Sequence, residues 1–581
     1  MTIGTRSVLA LRRGINNTSK PVLRSSRQIR FNSSSSSTSS ASSSSAPTQA
    51  NQLPRSNTLS TAWYALSLAL FAGAGYLIGN VGVLPPSTSL VESSFAIAHQ
   101  LANQPKYGSI KDYQNAIKEL KEYFTEKGKE DKVSTDDADL ESHGISDWSY
   151  HPAKKPTVVV WVNSTEEVQH VVKIAQKYKV PITPFSGGTS LEGHFSSPFG
   201  GISLDVSSMD KILKISEKDG DVIVQPGVKW DDLNAHLIKE GIPLFFPLDP
   251  GPGATIGGMV GTSCSGTNAV RYGTAKAEWF LNLTVVLPSG EVIKTRQRAR
   301  KSSAGWDTTK LFIGAEGTLG IVTEATLRLA PLLPTKCAVV NFPGVEEAVS
   351  AATEVVNAGF PVQCVEYLDA STIDAINKGG MVKKSYPKAD TLFFKFQGSD
   401  SAMSEVSKNV LGVVKKHGGK DFEFSKNDEE ARSLWEGRKA ALWSVLALKD
   451  NAKVWTTDVC VPISKLPRLV KETREDFAKR GITACHFGHV GDGNVHSLAL
   501  FTNDEELAVV EHAVHEMVER AIRLDGTCTG EHGVGVGKIE YLPTELGEGT
   551  VNLMETVKRT LDPHNILNPG KIYPNIKPQH N

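Results

Sequence analysis

A strand that runs directly into a turn of glycines and hydroxyl residues restricts this chain more than any other feature of its sequence. Residues 157–162 are apolar and β-branched, residues 164–179 have the spacing of an amphipathic helix, and residues 180–184 form a second strand ending at Pro184. The loop that follows contains Ser186, Gly187, Gly188, Thr189 and Ser190. Glycines let backbone N–H groups converge on an anion and the hydroxyls add donors, so the loop predicts a pyrophosphate site, although a structural turn would use the same residues.

Two further glycine-rich loops follow in chain order. The second supplies the candidate contacts Pro250, Gly257, Gly258, Ser263, Ser265, Gly266, Arg271 and Tyr272. The third supplies Glu316, Gly320, Ile321 and Val322, and it continues as a β-rich apolar run. A long surface loop is the alternative for the second, but loops of this length without secondary structure are usually functional. The two loops therefore strengthen the prediction of a bound phosphate-containing ligand.

A second group of chemically active residues lies late in the chain. Residues 485–496 have a strand, glycine turn, strand pattern that contains His489 and His496, and Glu531 and His532 follow a helical stretch at 504–524. The turn can fold the two imidazoles toward one centre, and with a carboxylate and an open position they predict a catalytic divalent metal site. Any one of these histidines alone would be better explained as a structural side chain. The prediction depends on the whole set.

The three loops, in this order and spacing, resemble the FAD-binding domain of the vanillyl-alcohol oxidase type flavoproteins. The histidine motifs resemble the branch of that family containing D-lactate, D-2-hydroxyglutarate and glycolate dehydrogenases, and the resemblance extends to a C-terminal signature containing Asn568 and Lys571. It implies an α+β fold: a two-subdomain, PCMH-type FAD-binding domain at 151–332, followed by an α+β substrate domain of the FAD-linked oxidase C-terminal type at 333–574.

The resemblance also implies how FAD is held. The first loop would hold the pyrophosphate, the second would line the isoalloxazine and ribityl side, and the third would flank the adenosine end, with Asn568 and Lys571 as further contacts. Thr189 stands where members with a covalently attached flavin have a histidine. We therefore expect FAD to be bound noncovalently. His194 departs from the small residue expected near the end of the first loop, and the sequence assigns it no role.

Roles for the later residues come from the same resemblance. His489, His496 and Glu531 would bind the metal, expected to be Zn or Mn, with Asn494 beside them and His532 as the base. Arg438 stands where family members hold a cation for the substrate carboxylate, and Lys453 is a second candidate; each could instead be a solvated charge. The expected reaction is oxidation of a small D-2-hydroxy acid, D-lactate, with the hydroxyl proton taken by His532 and the hydride by the flavin.

The distribution of charge bears on the partners. All 63 acidic residues lie at or beyond Glu92, whereas eight of the 63 basic residues precede it, so the later part has 55 basic against 63 acidic residues. This acidic body argues against nucleic acid and favours a basic partner such as cytochrome c. The six cysteines form no C-x-x-C pair, so no haem or iron–sulphur site is indicated and the electrons need an external acceptor.

The first part of the chain predicts targeting and anchoring. Residues 1–31 have the composition of a mitochondrial transit peptide, with a disordered basic tail as the alternative. Residues 32–60 form a serine-rich linker, 61–84 a single transmembrane helix, with a buried core helix as the alternative, and 85–150 a helical stalk and linker. Basic residues before the span and acidic ones after it predict anchoring in the mitochondrial inner membrane, with the body facing the intermembrane space.

Three other functions would use parts of the same pattern. A D-2-hydroxyglutarate dehydrogenase would share these motifs but should offer an extra cation for the distal carboxylate, which the sequence does not locate. An ether-lipid synthase with the same FAD fold uses a run of consecutive histidines, and none occurs here. A membrane-tethered protein that keeps the flavin fold without turnover is the third. Bleaching of a yellow cofactor by substrate would exclude it.

Overall fold

The computed structural model describes residues 106–146, 148–151 and 153–576. The predicted transit peptide, serine-rich linker and membrane span lie outside these residues. Within them, no helix has the length and hydropathy needed to cross a bilayer. The described chain is a mixture of helices and strands organised around three main sheets.

The first sheet has four strands in the order β1-β2-β4-β3. The strands are β1 (Val133–Ser134), β2 (Val158–Trp161), β3 (Ile182–Phe185) and β4 (Ile202–Asp205), and the accompanying helices are α1 (Ile110–Thr125), α2 (Asp137–Ser142) and α3 (Thr165–Tyr178). Both β2 and β3 run parallel to β4. The strand, helix, strand pattern predicted for 157–184 is confirmed, and Ser164 begins α3 by accepting a hydrogen bond from the backbone N–H of Glu167.

Helix α1 lies in the region predicted as a stalk. Its apolar face, formed by Ala116, Leu120 and Phe124, is buried in the same core as β2, β4 and α3. An amphipathic helix gains most of its stability by burying such a face. This part of the predicted stalk therefore belongs to the folded body.

The second sheet is antiparallel, with the order β5-β6-β10-β8-β9, and a two-stranded pair of β7 and β11 lies beside it. Its strands are β5 (Ile212–Ser216), β6 (Asp221–Val224), β7 (Leu244–Phe245), β8 (Phe280–Val286), β9 (Val292–Lys294), β10 (Ile321–Arg328) and β11 (Ala330–Pro331). Its helices are α4 (Trp230–Lys239), α5 (Ile256–Thr262), α6 (Ala269–Tyr272) and α7 (Thr308–Phe312). The second glycine-rich loop contains α5, which begins at the N-cap residue Thr255.

The third sheet is antiparallel and follows the path β15-β12-β14-β13-β18-β19-β16, with β17 paired to β19. Its strands are β12 (Thr335–Phe342), β13 (Val362–Leu368), β14 (Asp390–Gln397), β15 (Lys420–Phe424), β16 (Lys453–Thr456), β17 (Val459–Cys460), β18 (Thr483–Gly488) and β19 (Asn494–Phe501). Two hydrophobic cores lie against this sheet. The strand, glycine turn, strand prediction for 485–496 is confirmed by β18 and β19.

Nine α-helices follow β11 in the described chain, and most cover the third sheet. They are α8 (Val345–Asn357), α9 (Ala370–Gly379), α10 (Asp400–Lys416), α11 (Asp428–Lys439), α12 (Ala441–Leu446), α13 (Leu466–Lys479), α14 (Asp504–Arg523), α15 (Leu542–Leu546) and α16 (Glu548–Leu561). Helix α14 confirms the prediction for 504–524. Helices α8, α10, α13 and α14 supply one core, and α9, α11 and α12 supply the other.

The segment after α16 returns to the first sheet. The backbone N–H of Ile182 donates to the carbonyl of Ile566 at 2.6 Å, and Leu567 pairs with Ile182 in a parallel bridge. The buried ammonium of Lys558 donates to the carboxylate of Asp562 and to the carbonyls of Thr318 and Leu567. Residues from the end of the described chain therefore complete the structure around the first glycine loop.

Candidate active site

One cavity of about 1020 Å³ joins the glycine loops to the late histidines. The loops after β3, before and within α5, and before β10 line this cavity. Residues of α11, α12, β18 and β19 line it too, together with Glu531 and His532. The glycine-rich loops and the late histidines, which the sequence predicts as two separate groups, therefore line the same cavity.

Most of the predicted FAD contacts line this cavity. They are Pro184, Ser186, Gly187, Gly188, Thr189, Ser190, Pro250, Gly257, Gly258, Gly266, Glu316, Gly320, Ile321, Val322 and Asn568. The hydroxyl of Thr255 donates to Ser186 Oγ at 2.8 Å, which ties the first loop to the second. Ser190 Oγ is buried without a hydrogen-bond partner in the described chain. A glycine-lined cradle with an unsatisfied hydroxyl fits a phosphate-containing cofactor.

Five predicted FAD contacts do not line the cavity. Ser263 and Ser265 lie just after α5, Arg271 donates to the carbonyl of Pro361, and the hydroxyl of Tyr272 donates to Gln397 Oε1 at 2.6 Å. Lys571 is buried and donates to the carbonyl of Ser196 and to Asn568 Oδ1. Burial lowers the pKa of Lys571 to about 7. Lys571 therefore lies behind the cavity wall, where its ammonium binds the side chain of the wall residue Asn568.

His489, His496 and Glu531 meet at one point of the cavity wall. Glu531 Oε1 lies 3.3 Å from Nε2 of each histidine, and the two imidazole rings are 5.4 Å apart. The β18–β19 hairpin brings them together, because His496 lies on β19 opposite Phe487 and His489 lies in the turn.

The other nitrogen of each histidine has a fixed partner. Nδ1 of His489 lies 2.8 Å from the carboxylate of Glu366, and Nδ1 of His496 lies 3.0 Å from the carbonyl of Thr457. These acceptors hold the Nδ1 protons, so Nε2 of each ring is the nitrogen that faces Glu531 and could bind a cation in place of a proton. Glu531 Oε2 is buried without a hydrogen-bond partner among the described residues. Two oriented imidazoles and an unsatisfied carboxylate fit a divalent cation.

The charges in this cluster favour a cation. Burial raises the pKa of Glu531, but His489 and His496 outweigh it and hold that pKa well below its ordinary value. Burial lowers the pKa of His489, but Glu366 and Glu531 outweigh it and raise that pKa well above the usual range. A metal ion would supply the positive charge that the proton on His489 otherwise supplies between these two carboxylates.

Asp458 belongs to the same cluster. Its ligating atoms and those of His496, Glu531 and His532 all lie within 4.8 Å of one another, which makes this a second candidate ligand set. However, Asp458 already accepts hydrogen bonds from the backbone N–H groups of Glu531 and His532, the hydroxyl of Thr529 and the amide of Asn494. We prefer the set with His489, because the oxygens of Asp458 are occupied. Asn494, predicted to lie beside the metal, is buried and contacts Asp458.

His532 stacks on His496, with ring centroids 5.2 Å apart and planes at 12°. Burial lowers the pKa of His532, and the charge of Asp458 opposes this only in part. Its Nδ1 is buried and has no hydrogen-bond partner in the part of the chain described. A neutral imidazole that lines the cavity and has a free nitrogen is suited to accept a proton.

The two predicted carboxylate-binding cations have different surroundings. Arg438 lines the cavity, where its Nε donates to Glu366 Oε2 at 2.9 Å and its guanidinium lies 4.9 Å from the ring centroid of Phe487. Lys453 is exposed and does not line the cavity, and its ammonium lies 5.6 Å from the ring centroid of Tyr150. The structure therefore brings Arg438 to the site and leaves Lys453 away from it.

Sequence reasoning missed Glu366, Asp458 and Asp249. Asp249 lines the cavity just before Pro250, and burial raises its pKa to about 6. Glu366 and Asp458 are acidic residues inside or beside apolar strands, and both are almost fully buried. A carboxylate within a β-branched run was the available signal, because a buried charge needs partners.

Two family models match the chain. The FAD binding domain matches residues 156–296, and the C-terminal domain of FAD linked oxidases matches residues 334–572. The glycine-lined cradle falls within the first match apart from the third loop and residues 562–573, and the imidazole–carboxylate cluster falls within the second. Fold and site together define an FAD-linked oxidoreductase.

Named relatives narrow the family. The chain is 44% identical over 449 residues to the mitochondrial D-lactate dehydrogenase (cytochrome) of Arabidopsis thaliana, covering 77% of this chain and 78% of that protein. It is 42% identical over 484 residues to the protein of the same name from Kluyveromyces lactis, covering 81% and 83%. The chain belongs to the family of FAD-linked oxidases that includes these D-lactate dehydrogenases.

A solved structure shows the same fold. The 4-ethylphenol oxidase of Gulosibacter chungangensis superposes with a TM-score of 0.67 at 20% identity, covering 82% of this chain and 99% of that one. The expected two-part fold with a vanillyl-alcohol oxidase type FAD-binding domain is thereby confirmed for the described residues.

Proposed function

We propose that this protein oxidises D-lactate to pyruvate, with FAD as the first electron acceptor and cytochrome c as the second. One observation carries the proposal: Arg438, His532 and the cluster of His489, His496 and Glu531 line the same cavity as the FAD cradle. The similarity to proteins named D-lactate dehydrogenase supports this substrate.

A bound FAD would supply the acceptor for the hydride from C2 of the substrate. The loop from Ser186 to Ser190 would hold its pyrophosphate, and the glycines of the second loop leave room beside it. Thr189 has no imidazole to form a covalent bond to the flavin, so the cofactor would be held by contacts alone.

A divalent cation, Zn or Mn, would be held by Nε2 of His489, Nε2 of His496 and the carboxylate of Glu531. Such a cation would supply the positive charge that polarises the hydroxyl and carboxylate of a 2-hydroxy acid and lowers the pKa of that hydroxyl. The guanidinium of Arg438 is placed to bind the substrate carboxylate, because Glu366 holds it at the cavity wall.

His532 would take the hydroxyl proton. Its Nδ1 lacks a partner in the described structure, and the backbone N–H of His532 is fixed by Asp458 at 2.7 Å. The O–H and C2–H bonds of lactate break and a C=O bond forms; the proton goes to His532, and the hydride with its electron pair would go to FAD. Two molecules of a one-electron acceptor would then take the two electrons, and the proton of the hydride would be released to solvent.

The acidic body and the names of the relatives support cytochrome c as that acceptor and a mitochondrial location. We further propose that the span at 61–84 anchors the protein in the inner membrane, with the body in the intermembrane space. This part of the proposal rests on the sequence alone, because residues 61–84 lie outside the described residues.

D-2-hydroxyglutarate remains the alternative substrate. The cavity wall includes a second cation, Lys439, next to Arg438 in the chain. A second cation is the feature that a distal carboxylate would require. D-Lactate has no second carboxylate, so the two acids differ in their use of Lys439.

Anaerobic mixing tests the proposal. The purified protein would be mixed with D-lactate, L-lactate and D-2-hydroxyglutarate while flavin absorbance is followed near about 450 nm. Bleaching by D-lactate alone, reversed by oxidised cytochrome c, supports the proposal. Faster bleaching by D-2-hydroxyglutarate would make that acid the substrate in place of D-lactate. The absence of bleaching by all three acids would contradict the proposed oxidation.

A further inference from the structure

The segment that carries Glu531 and His532 is held from two sides by buried carboxylates. Asp458, next to β17, accepts from the backbone N–H groups of Glu531 and His532. Glu316, in the loop before β10, accepts from the backbone N–H of Val534 at 2.6 Å and from that of Gly535 at 3.0 Å. We call residues 529–535 the catalytic loop. Its contacts with Glu316 connect it directly to the loops of the FAD cradle.

The carboxylate of Glu316 is fixed by an unusual backbone. Glu316 has φ of +51°, a left-handed conformation that is strained for a residue other than glycine. Its N–H donates to the carbonyl of Gly261 at 3.0 Å, and its own carbonyl accepts from the amide of Asn568 at 2.7 Å. Strain that neighbouring contacts enforce at a site is a reason to look for a function. Here the strained backbone aims a charged group at the catalytic loop.

His194 lies beside this carboxylate. Its Nε2 lies 3.2 Å from Glu316 Oε1, and it is buried and lines the cavity. A Cβ at Gly533 would lie 2.7 Å from His194 Nε2 and 2.9 Å from Glu316 Oε1, and Gly533 has φ of +85°. Only glycine permits this approach of the catalytic loop. The histidine to which the sequence assigned no role therefore lies next to this contact.

We propose that Glu316 is a positioning residue, which fixes Glu531 and His532 relative to the FAD cradle by binding the backbone of Val534 and Gly535. The proposal rests on the proposed function for the roles of Glu531 and His532. It differs from a direct contact between Glu316 and FAD, because both carboxylate oxygens of Glu316 bind backbone N–H groups of the catalytic loop.

Physical reasoning separates the two roles. If Glu316 positions the catalytic loop, its loss should leave FAD bound and displace His532 and Glu531. A displacement of about 1 Å at a reacting group costs on the order of a hundredfold in rate. If Glu316 instead holds FAD, its loss should lower the FAD content while the flavin that remains is reduced at the normal rate.

The experiment uses the full-length holoenzyme and three variants, E316A, E316Q and the matched control E324Q. Glu324 lies on β10, and its carboxylate accepts from the hydroxyl of Thr284, away from the catalytic loop. The readouts are FAD content, Zn or Mn affinity by titration calorimetry, flavin reduction in a single turnover with D-lactate, and hydrogen exchange of the backbone amides at 531–535.

For E316A we expect FAD content within about twofold of the wild type and flavin reduction slowed roughly ten- to hundredfold at saturating substrate. We also expect metal affinity lowered severalfold and faster exchange at Val534 and Gly535. E316Q keeps one acceptor oxygen, so its rate of flavin reduction, metal affinity and amide exchange should lie between those of E316A and the wild type. E324Q should match the wild type. If E316A does not fold, E316Q carries the same test.

Two results would overturn the proposal: flavin reduction and amide exchange at wild-type rates in E316A, or loss of FAD with normal reduction of what remains. If D-lactate reduces no flavin even in the wild type, the proposed function fails separately. Metal affinity and amide exchange still decide the positioning role in that case, because neither depends on turnover.

Discussion

The carboxylate of Glu366 lies 2.8 Å from Nδ1 of His489, inside a strand where Glu366 is fully buried. The same carboxylate accepts a hydrogen bond from Arg438 at 2.9 Å. One buried acid therefore orients both a proposed metal ligand and the proposed substrate-binding cation. Within the described residues, Glu366 is the carboxylate that contacts both Nδ1 of His489 and Nε of Arg438.

E366Q should therefore weaken metal and substrate binding together. An amide orients His489 less firmly and removes the charge that faces Arg438, so we expect metal affinity to fall roughly 10- to 100-fold and the KM for D-lactate to rise. Titration calorimetry and steady-state kinetics measure the two effects. E423Q removes a carboxylate on β15 whose partner is Lys384, and it should change neither. A metal affinity that is unchanged in E366Q would contradict the orienting role.

H532A and H496A should fail in different ways. H532A removes the proposed base but none of the proposed ligands, so metal and FAD stay bound while flavin reduction slows by roughly 10²- to 10⁴-fold. H496A removes a ligand and should lose the metal but keep FAD. Metal analysis by mass spectrometry and single-turnover absorbance separate the two outcomes. Loss of metal in H532A would show that His532 is itself a ligand.

R438K and K453M form a matched pair of changes to cations. Lysine keeps the charge at position 438 but cannot reproduce the planar contact with Glu366 and a substrate carboxylate, so we expect kcat/KM to fall about tenfold or more. Lys453 is exposed and outside the cavity, so K453M should stay within about twofold of the wild type. Steady-state kinetics with D-lactate decide between them. A large loss of kcat/KM in K453M would instead indicate that Lys453 binds the substrate carboxylate.

Removal of the metal should be reversible. A chelator should abolish flavin reduction by D-lactate without releasing FAD, because the proposed ligands and the FAD cradle are separate sets of residues. Addition of Zn or Mn should restore the rate, and the ion that does so identifies the native metal. Full activity after verified removal of the metal would contradict the proposed site.

Acid should weaken the contact between Glu192 and Lys538. Burial raises the pKa of Glu192, but Lys538 and His151 outweigh it and hold that pKa at about 2, below its ordinary value of 4.5. A group with a lowered folded pKa stabilises the fold above its unfolded pKa and loses that contribution as pH falls toward the folded pKa. The shift corresponds to about 3 kcal/mol, which is present above about pH 5 and lost between about pH 4.5 and 2.

The thermal unfolding of E192Q, measured across pH, tests this linkage. The loss of Tm relative to the wild type should be largest above about pH 5 and should narrow in acid. E324Q serves as the control, because the carboxylate of Glu324 accepts a hydrogen bond from the hydroxyl of Thr284 rather than from a buried cation. If the difference in Tm between E192Q and the wild type does not change with pH, Glu192 is not the source of the pH-dependent stability.

Local pattern was enough to predict much of the fold. The apolar spacing of 164–179 and 504–524 predicts α3 and α14, and the strands around the first loop and the β18–β19 hairpin follow from β-branched runs that end in glycine. The hairpin also explains why His489 and His496 were predicted to be neighbours, since a short turn leaves few alternatives. These elements depend on contacts within a few tens of residues.

The missed residues depend on contacts between distant parts of the chain. Glu366 and Asp458 act on His489 and His532 from separate elements, and no spacing in the sequence connects them. Arg271 and Tyr272 were predicted as FAD contacts because they follow a glycine motif, yet Tyr272 is directed to Gln397. Proximity to a motif does not fix the direction of a side chain, because packing against distant elements decides it.

The return of residues 562–573 to the first sheet has a consequence for biosynthesis. The edge beside β3 is completed by Ile566 and Leu567, and the third loop is tied down by Lys558 and Asn568. During synthesis the first half of the chain leaves the ribosome long before these residues. The apoprotein cannot complete its cofactor cradle until residues 562–573 have left the ribosome, so we expect stable binding of FAD only after their synthesis.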